Sequence, residues 1–317
     1  MINITSNIAR QQYQAEFERN MAALENVQIR ELKPVLNRQY IRSAQAIQQG
    51  MLDINFAVDK DGDRLRELLF RHYRRIATVF GDKVFKAIEE AQKSIAAPEI
   101  KGPKDEFWGE INRWMTTQAG MKIRHIQKTT KKNIAAVIQK GMNEGESHRT
   151  IARNIRKNGR ITTQQRAIKI ARTETHTAAV RSVDAGIKAT RVEMEKEWVA
   201  SYDERTRVSH RAADKQKVAQ DAKFIVGEIA LDYPGDPSGP PATVINCRCV
   251  LLYHTVRATD KLKPYKPEVP AIPDWKDTKT LHDAEVGLTG LFKKAKAKNS
   301  VIAITEKHPE FKGEFRP

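Results

Sequence analysis

Cysteine is nearly absent. Two cysteines in 317 residues exclude a disulfide-stapled secreted scaffold. No apolar run approaches the roughly 18–20 residues that a bilayer-spanning helix needs, so no membrane segment is expected. Met1 to Arg10 has polar residues throughout and lacks the continuous apolar core of a secretory signal. Acidic residues are also scarce: 39 Asp and Glu face 56 Lys and Arg, leaving a formal charge of +17. What is present, 40% hydrophobic and 30% charged residues, fits a soluble globular chain working in a cytoplasm. The length has room for about two domains.

The surplus charge is concentrated. Between Ile111 and Arg172 there are 15 Lys and Arg against only Glu144 and Glu146, a local balance of +13. Such a field attracts polyanions, nucleic acid first among them. The other reading is a solvated helix face, or one that docks on an acidic protein. No RNP, zinc-finger or basic-zipper signature accompanies the charge, so any DNA contact is expected to be non-specific.

The first half has helical periodicity. Tyr13, Phe17, Met21 and Leu24 mark one helix face, and Leu36, Tyr40, Ala44 and Ile47 a second, with Gly50 as its stop. Leu65, Leu68, Leu69, His72, Ile76, Val79 and Phe80 predict a third helix ended by Gly81, followed by a fourth through Phe85 and Ile88. Ala96 to Pro103 reads as a connection. A long basic helix carries Ile123, Ile126, Thr130, Ile134, Val137 and Ile138 on one stripe and is interrupted at Gly141 and Gly145. Ser147 starts a short helix closing near Gly159. Thr162 and Gln165 have capping-box spacing and predict the start of another helix, a pair weakly suggestive of a helix-turn-helix. After Ala185 the composition turns aromatic and β-branched. The run Tyr233 to Pro241 is turn-rich, and the pairs Val244–Ile245 and Val250–Leu252 read as short strands. Pro264, Pro267, Pro270 and Pro273 recur every third residue, as an extended polyproline II strap would require. A Lys-rich tail follows.

The fold class expected is therefore α+β: a mainly helical N-terminal region, a small α+β module and an extended, partly disordered C-terminal tail. The boundaries fall at 1–95 for the helical region, 104–160 for the basic helical segment, 161–256 for the module and 257–317 for the Pro-rich linker and basic tail.

Four blocks within the module are specific. Ala171-Arg172-Thr173-Glu174 leads a helix. Asp203-Glu-Arg205-Thr206-Arg207 precedes His210. Tyr233-Pro234-Gly-Asp-Pro237 makes a turn, and Asn246-Cys247-Arg-Cys249 closes the series. In this order and spacing they resemble the head-morphogenesis domain of the phage Mu F-like minor head proteins, over about Gly141 to Tyr253. One departure stands out: the family usually has Asp-Gly after the histidine block, where this chain has Asp214-Lys215. The resemblance implies a minor head (capsid) protein, not an enzyme, that partners portal, capsid or scaffold proteins. It would reside in the virion, at the portal vertex or head interior, after assembly in the host cytoplasm.

Read as chemistry, Cys247 and Cys249 with His210 could ligate zinc, helped by His176, Asp203 or His254. A single residue between two thiolates is shorter than the usual knuckle spacing. If 247–249 were a strand, both side chains would share a face. Alternatively the cysteines pack as small buried groups, while Asp203, Arg205 and His210 form a polar network in which Asp203 and Arg205 make a buried ion pair. Asp203, Arg207 and His210 could also form an acid–base site. The acidic residues are scattered, unlike the clustered carboxylates of a metal-dependent nuclease. A virion-associated nuclease-like or toxin-like enzyme is the remaining alternative.

Overall fold

A computed structural model of the chain describes residues 7–95, 103–201 and 203–255. The expected connection from Ala96 to Pro103 lies outside them except for Pro103, which starts a helix, and so do the proline strap and the Lys-rich tail. The architecture is α+β, as the sequence predicts. Residues 7–201 and 208–255 belong to one compact unit, and Asp203–Arg207 to a second that is described by itself.

Four long helices dominate: α1 (Asn7–Gln48), α3 (Gly62–Ile95), α4 (Pro103–Asn143) and α5 (His148–Ala189), with a short α2 (Asn55–Asp59) after the first. The two segments expected in the first fifty residues are one helix of 42 residues with Pro34 inside it. An interior proline removes one backbone hydrogen bond. Here the fully or nearly buried Leu32, Val35 and Leu36 hold the helix together across it. The stop at Gly50 is as expected. Its φ of 83° lets its N–H reach Ile47 O while Met51 N–H reaches Ala46 O, the two bonds of a Schellman cap. Gly145, at φ 66°, ends α4 in the same way through Met142 O and Gly141 O.

Four other glycine or capping signals act differently from their expected roles. α3 runs straight through Gly81, because Phe107 of α4 lies where a Cβ would stand, 2.6 Å away. Gly141 is likewise helical and faces Ile151. α5 starts at Ser147, whose hydroxyl accepts from Thr150 N–H, but does not close at Gly159. A Cβ at Gly159 would stand 2.6 Å from Tyr40 of α1, so this glycine permits close helix approach and ends nothing. Thr162 does not cap a new helix; its hydroxyl donates back to Asn158 O at 2.9 Å. With α5 continuous, the helix-turn-helix reading falls.

Beyond α5 the chain forms β1 (Met194–Val199), α6 (Val208–Ala212), β2 (Lys217–Ala219), β3 (Phe224–Val226), β4 (Ile229–Leu231), α7 (Pro241–Val244) and β5 (Val250–Thr255). The main sheet has the order β2-β1-β5 and is antiparallel, with Trp198 opposite Leu251 and Val199 opposite Val250. β3 and β4 form a separate hairpin. The strand expected at Val244–Ile245 is instead the end of a one-turn helix. Pro241 occupies its first position, where a missing N–H costs nothing, and Val244 N–H reaches Pro240 O.

A continuous apolar core joins α1, α3, α4 and α5 to the sheet, from Phe17 and Phe80 to Trp198, Phe224 and Leu251. A second cluster around Tyr40, Ile47, Ile134, Ile151 and Ile155 fills the far end of the helices.

Candidate metal centre

The central feature of the site is a run of polar residues on α5. Thr173, Glu174, Thr175, His176 and Thr177 are all buried, which is costly unless each side chain finds a polar partner. Successive side chains turn by about 100° around the axis, and each meets a different neighbour. Thr173 Oγ1 accepts from Asn246 N–H at 3.3 Å. Glu174 accepts from the Tyr73 hydroxyl at 2.6 Å and pairs with Lys122 at 3.2 Å. Thr175 bonds His72 Nε2 at 2.8 Å. His176 Nε2 meets Cys249 O at 2.7 Å, and Thr177 donates to Gly235 O at 3.0 Å. Arg172, one residue earlier, lies at the surface beside Glu25 at 3.7 Å.

Burial sets the protonation of this run. It pushes the His72 imidazole down to about 3, with Arg75 adding to the effect. It pushes His176 down to about 4, against the hydrogen bond to Cys249. Tyr73 is driven well above its ordinary range by burial and by the Glu174 carboxylate. The two histidines are therefore neutral hydrogen-bonding groups at physiological pH.

The loop that meets this helix carries the two cysteines. Asn246 adopts φ 57°, a left-handed conformation that asparagine tolerates better than most residues. The chain then turns so that both sulfurs approach one imidazole. His210, on α6, has its Nδ1 3.4 Å from Cys249 Sγ and 3.7 Å from Cys247 Sγ. The cysteines precede β5 rather than forming part of it, so it is this turn and not a shared strand face that brings them together. All three side chains are buried, and the His210 ring stands edge-on to Trp198, at 5.5 Å and 85°. Burial raises the Cys249 thiol well above its ordinary range, and Cys247 beside it adds to the shift while His210 opposes it. Among the described residues, these three form the His, Cys, Asp or Glu group placed closely enough to hold a metal ion.

Three other candidate ligands are used elsewhere. His176 bonds the Cys249 carbonyl, not the sulfurs. His254 Nε2 lies 2.7 Å from Glu197, which also pairs with Arg10 at 2.8 Å. Burial works against the Glu197 carboxylate, but His254 and Arg10 outweigh it and hold the group below its ordinary range. Asp203, in its own unit, caps a turn: its Oδ1 accepts from Arg205 N–H at 3.0 Å and from the Thr206 hydroxyl at 3.1 Å. The Asp203–Arg205 pair, expected to be buried, has the Arg205 side chain 73% exposed at 3.4 Å. It is a solvated surface pair worth little.

The turn block expected from Tyr233 to Pro237 acts through its backbone. Pro234 and Gly235 are the central residues of a turn in which Asp236 N–H reaches Tyr233 O. Gly235 has φ 79°, and a Cβ there would fall 2.6 Å from His176 Nδ1. The Pro-Gly pair was the available signal. Asp236 then accepts from Asp232 N–H and Ser238 N–H, both at 2.9 Å. Lys215 stands where relatives are expected to carry glycine, and it keeps the glycine-like φ of 65°, at a cost of about 1 kcal/mol for a residue with a Cβ. The turn survives the change of residue.

Residues 132–252 match the family model described as "Phage Mu protein F like protein". The chain is 34% identical over 125 residues to the minor head protein GP7 of Bacillus phage SPP1, covering 38% of this chain and 40% of that one. It is 28% identical over 135 residues to the NAD(+)–arginine ADP-ribosyltransferase EFV of Enterococcus faecalis, covering 42% of this chain and 26% of that one. The chain thus spans less than half the length of each of these relatives. No solved structure matches it.

Proposed function

Residues 132–252 form a Mu F-like segment, and from that premise we propose that the chain is a minor head protein acting in bacteriophage head assembly, at the portal vertex or the procapsid interior. One observation carries the reading: Thr173, Glu174, Pro234, Cys247 and Cys249, together with His210, are buried against one another's elements instead of lining an open surface. His210, Cys247 and Cys249 are 1%, 2% and 1% exposed, and an enzyme transferring a group between two substrates needs a concave, accessible site. The match to a part of the ADP-ribosyltransferase does not alter that geometry. No described helix is long and apolar enough to cross a membrane. The partners on this reading are the portal and the capsid or scaffold proteins.

The test is made on particles. Heads purified from a lysate should contain the chain and should co-purify it with the portal. A stop codon early in its gene should cut the yield of infectious heads. Heads that lack the chain while assembling in undiminished number would overturn the assignment.

Contact with packaged DNA is the second part of the proposal. Arg149, Arg153, Lys157 and Arg160 are exposed at helical spacing along one side of α5, and Lys128, Lys132 and Lys140 are exposed on α4. Four phosphate contacts from the α5 stripe would weaken duplex binding roughly a hundredfold between about 50 and 200 mM salt, whatever the DNA sequence. Fluorescence anisotropy on two unrelated duplexes measures this. A flat salt dependence, or a preference for one duplex, would sink it.

A further inference from the structure

We propose that His210 Nδ1, Cys247 Sγ and Cys249 Sγ bind one zinc ion, which clamps the loop before β5 to the short helix α6. The inference stands independently of the head-assembly reading.

Three soft or borderline donor atoms converge as the ligands of one cation would. Nδ1 of a neutral imidazole has either one hydrogen or one lone pair in the ring plane. It can serve one sulfur at a time, and two lie within reach of it, at 3.4 and 3.7 Å, while the sulfurs also hydrogen-bond each other. Zinc binds cysteine sulfur at about 2.3 Å and histidine nitrogen at about 2.0–2.1 Å, so a tetrahedral centre separates a nitrogen from a sulfur ligand by about 3.6 Å. The two separations bracket that edge. All three ligand atoms lie within 4.8 Å of one another, wide enough for the longer sulfur-to-sulfur edge of the same tetrahedron. The ion would take a position on one side of the imidazole plane's edge, along the Nδ1 lone pair.

Charge is compatible with the same occupant. One divalent ion with two thiolates and a neutral imidazole has no net charge, so burial does not oppose the loaded site as it opposes a lone thiolate. Thiolate and imidazole together select zinc over magnesium or calcium, which take oxygen. His176 acts on this centre as a positioning residue. Its Nε2 holds the Cys249 carbonyl at 2.7 Å, and Gly235 lies against the other side of its ring, so the cysteine loop is fixed from behind. Among the described residues no fourth His, Cys, Asp or Glu atom joins the cluster. The fourth corner of the tetrahedron is open to a water molecule or another ligand.

The full chain, purified under reducing conditions from zinc-supplemented cells, should carry close to one zinc by elemental mass spectrometry. The double variant Cys247→Ser/Cys249→Ser should carry close to none. Because that variant can fail to fold, a second measurement uses the wild-type chain alone. After chelation, added Co2+ should produce a thiolate-to-cobalt charge-transfer band and visible bands of tetrahedral intensity, and one equivalent of Zn2+ should abolish both. Metal-free wild-type protein with no charge-transfer band on cobalt addition would overturn the proposal. So would a folded double variant that keeps its zinc, or a disulfide between the two cysteines in protein from a reducing extract.

Discussion

Lowering the pH from about 6.5 toward 3 should remove about 4–5 kcal/mol of stability through His72 alone. The imidazole is buried on α3 against Thr175, and burial, with Arg75 second, holds its folded pKa at about 3 against an ordinary 6.5. In that window the unfolded chain binds a proton that the folded chain refuses. Unfolding therefore takes up a proton, and stability falls with pH. The contribution is complete above the unfolded value, declines by about 1.4 kcal/mol for each pH unit below it, and is gone at the folded value. A loss of that size is a large part of the roughly 5–15 kcal/mol that holds a typical domain folded. Other groups titrate in the same range, so the measurement compares the wild type with His72→Gln, which keeps a polar partner for Thr175 and cannot titrate. Denaturant unfolding followed by circular dichroism at pH 7, 6, 5 and 4 should show the two stabilities converging or crossing as the pH falls. Parallel profiles would mean that His72 does not stay neutral in the fold.

Glu174→Ala should cost about 3 kcal/mol or more. The carboxylate is shared between the Tyr73 hydroxyl and Lys122, and its removal strands a buried phenol and a cation only 19% exposed. Breaking one side of a buried pair costs about 3–5 kcal/mol because the other side is left unpaired; the partial exposure of Lys122 places this case at the lower end. Glu174→Gln should cost less, since the amide oxygen still accepts from Tyr73. Replacing both members, with Lys122→Met added to Glu174→Gln, should recover part of the loss, because the stranded charge is then gone. A double-mutant cycle of unfolding free energies tests this. Additive single losses would show that the two side chains do not interact.

The fold was legible where a residue acts on its own neighbours. Gly50 and Gly145 end helices through bonds to carbonyls three and five residues back, and Ser147 caps the next turn. These are local events that a sequence records. Gly81 and Gly159 are the same residue used differently, to admit Phe107 and Tyr40 from other helices. Nothing nearby in the chain distinguishes the two uses. Thr162 and Gln165 had the right spacing for a cap, but the packing of α1 along α5 keeps that turn helical. The site divides in the same way. His210, Cys247 and Cys249 stood out because few residue types bind metals. The partners of Thr173 to Thr177 could not be read, since they come from α3, α4 and the loops at Gly235, Asn246 and Cys249, between 52 and 103 positions away. Lys215 shows the converse: the expected glycine is missing, yet the backbone keeps its shape.

The five buried polar residues of α5 also limit how this chain can change in length. One residue inserted between Gly159 and Thr173 would advance the helix by about 1.5 Å and rotate everything beyond it by about 100°. Thr173, Glu174, Thr175, His176 and Thr177 would then all lose their partners at once, whatever residue was added. An insertion of seven residues comes back to within about 20° of the original phase, but it displaces the site along the axis by two turns. Neither change can be absorbed locally, because the five contacts point in different directions. Insertions and deletions tolerated by the fold are therefore restricted to the loops, and the spacing from Gly159 to Thr177 behaves like the pitch of a screw cut to one nut.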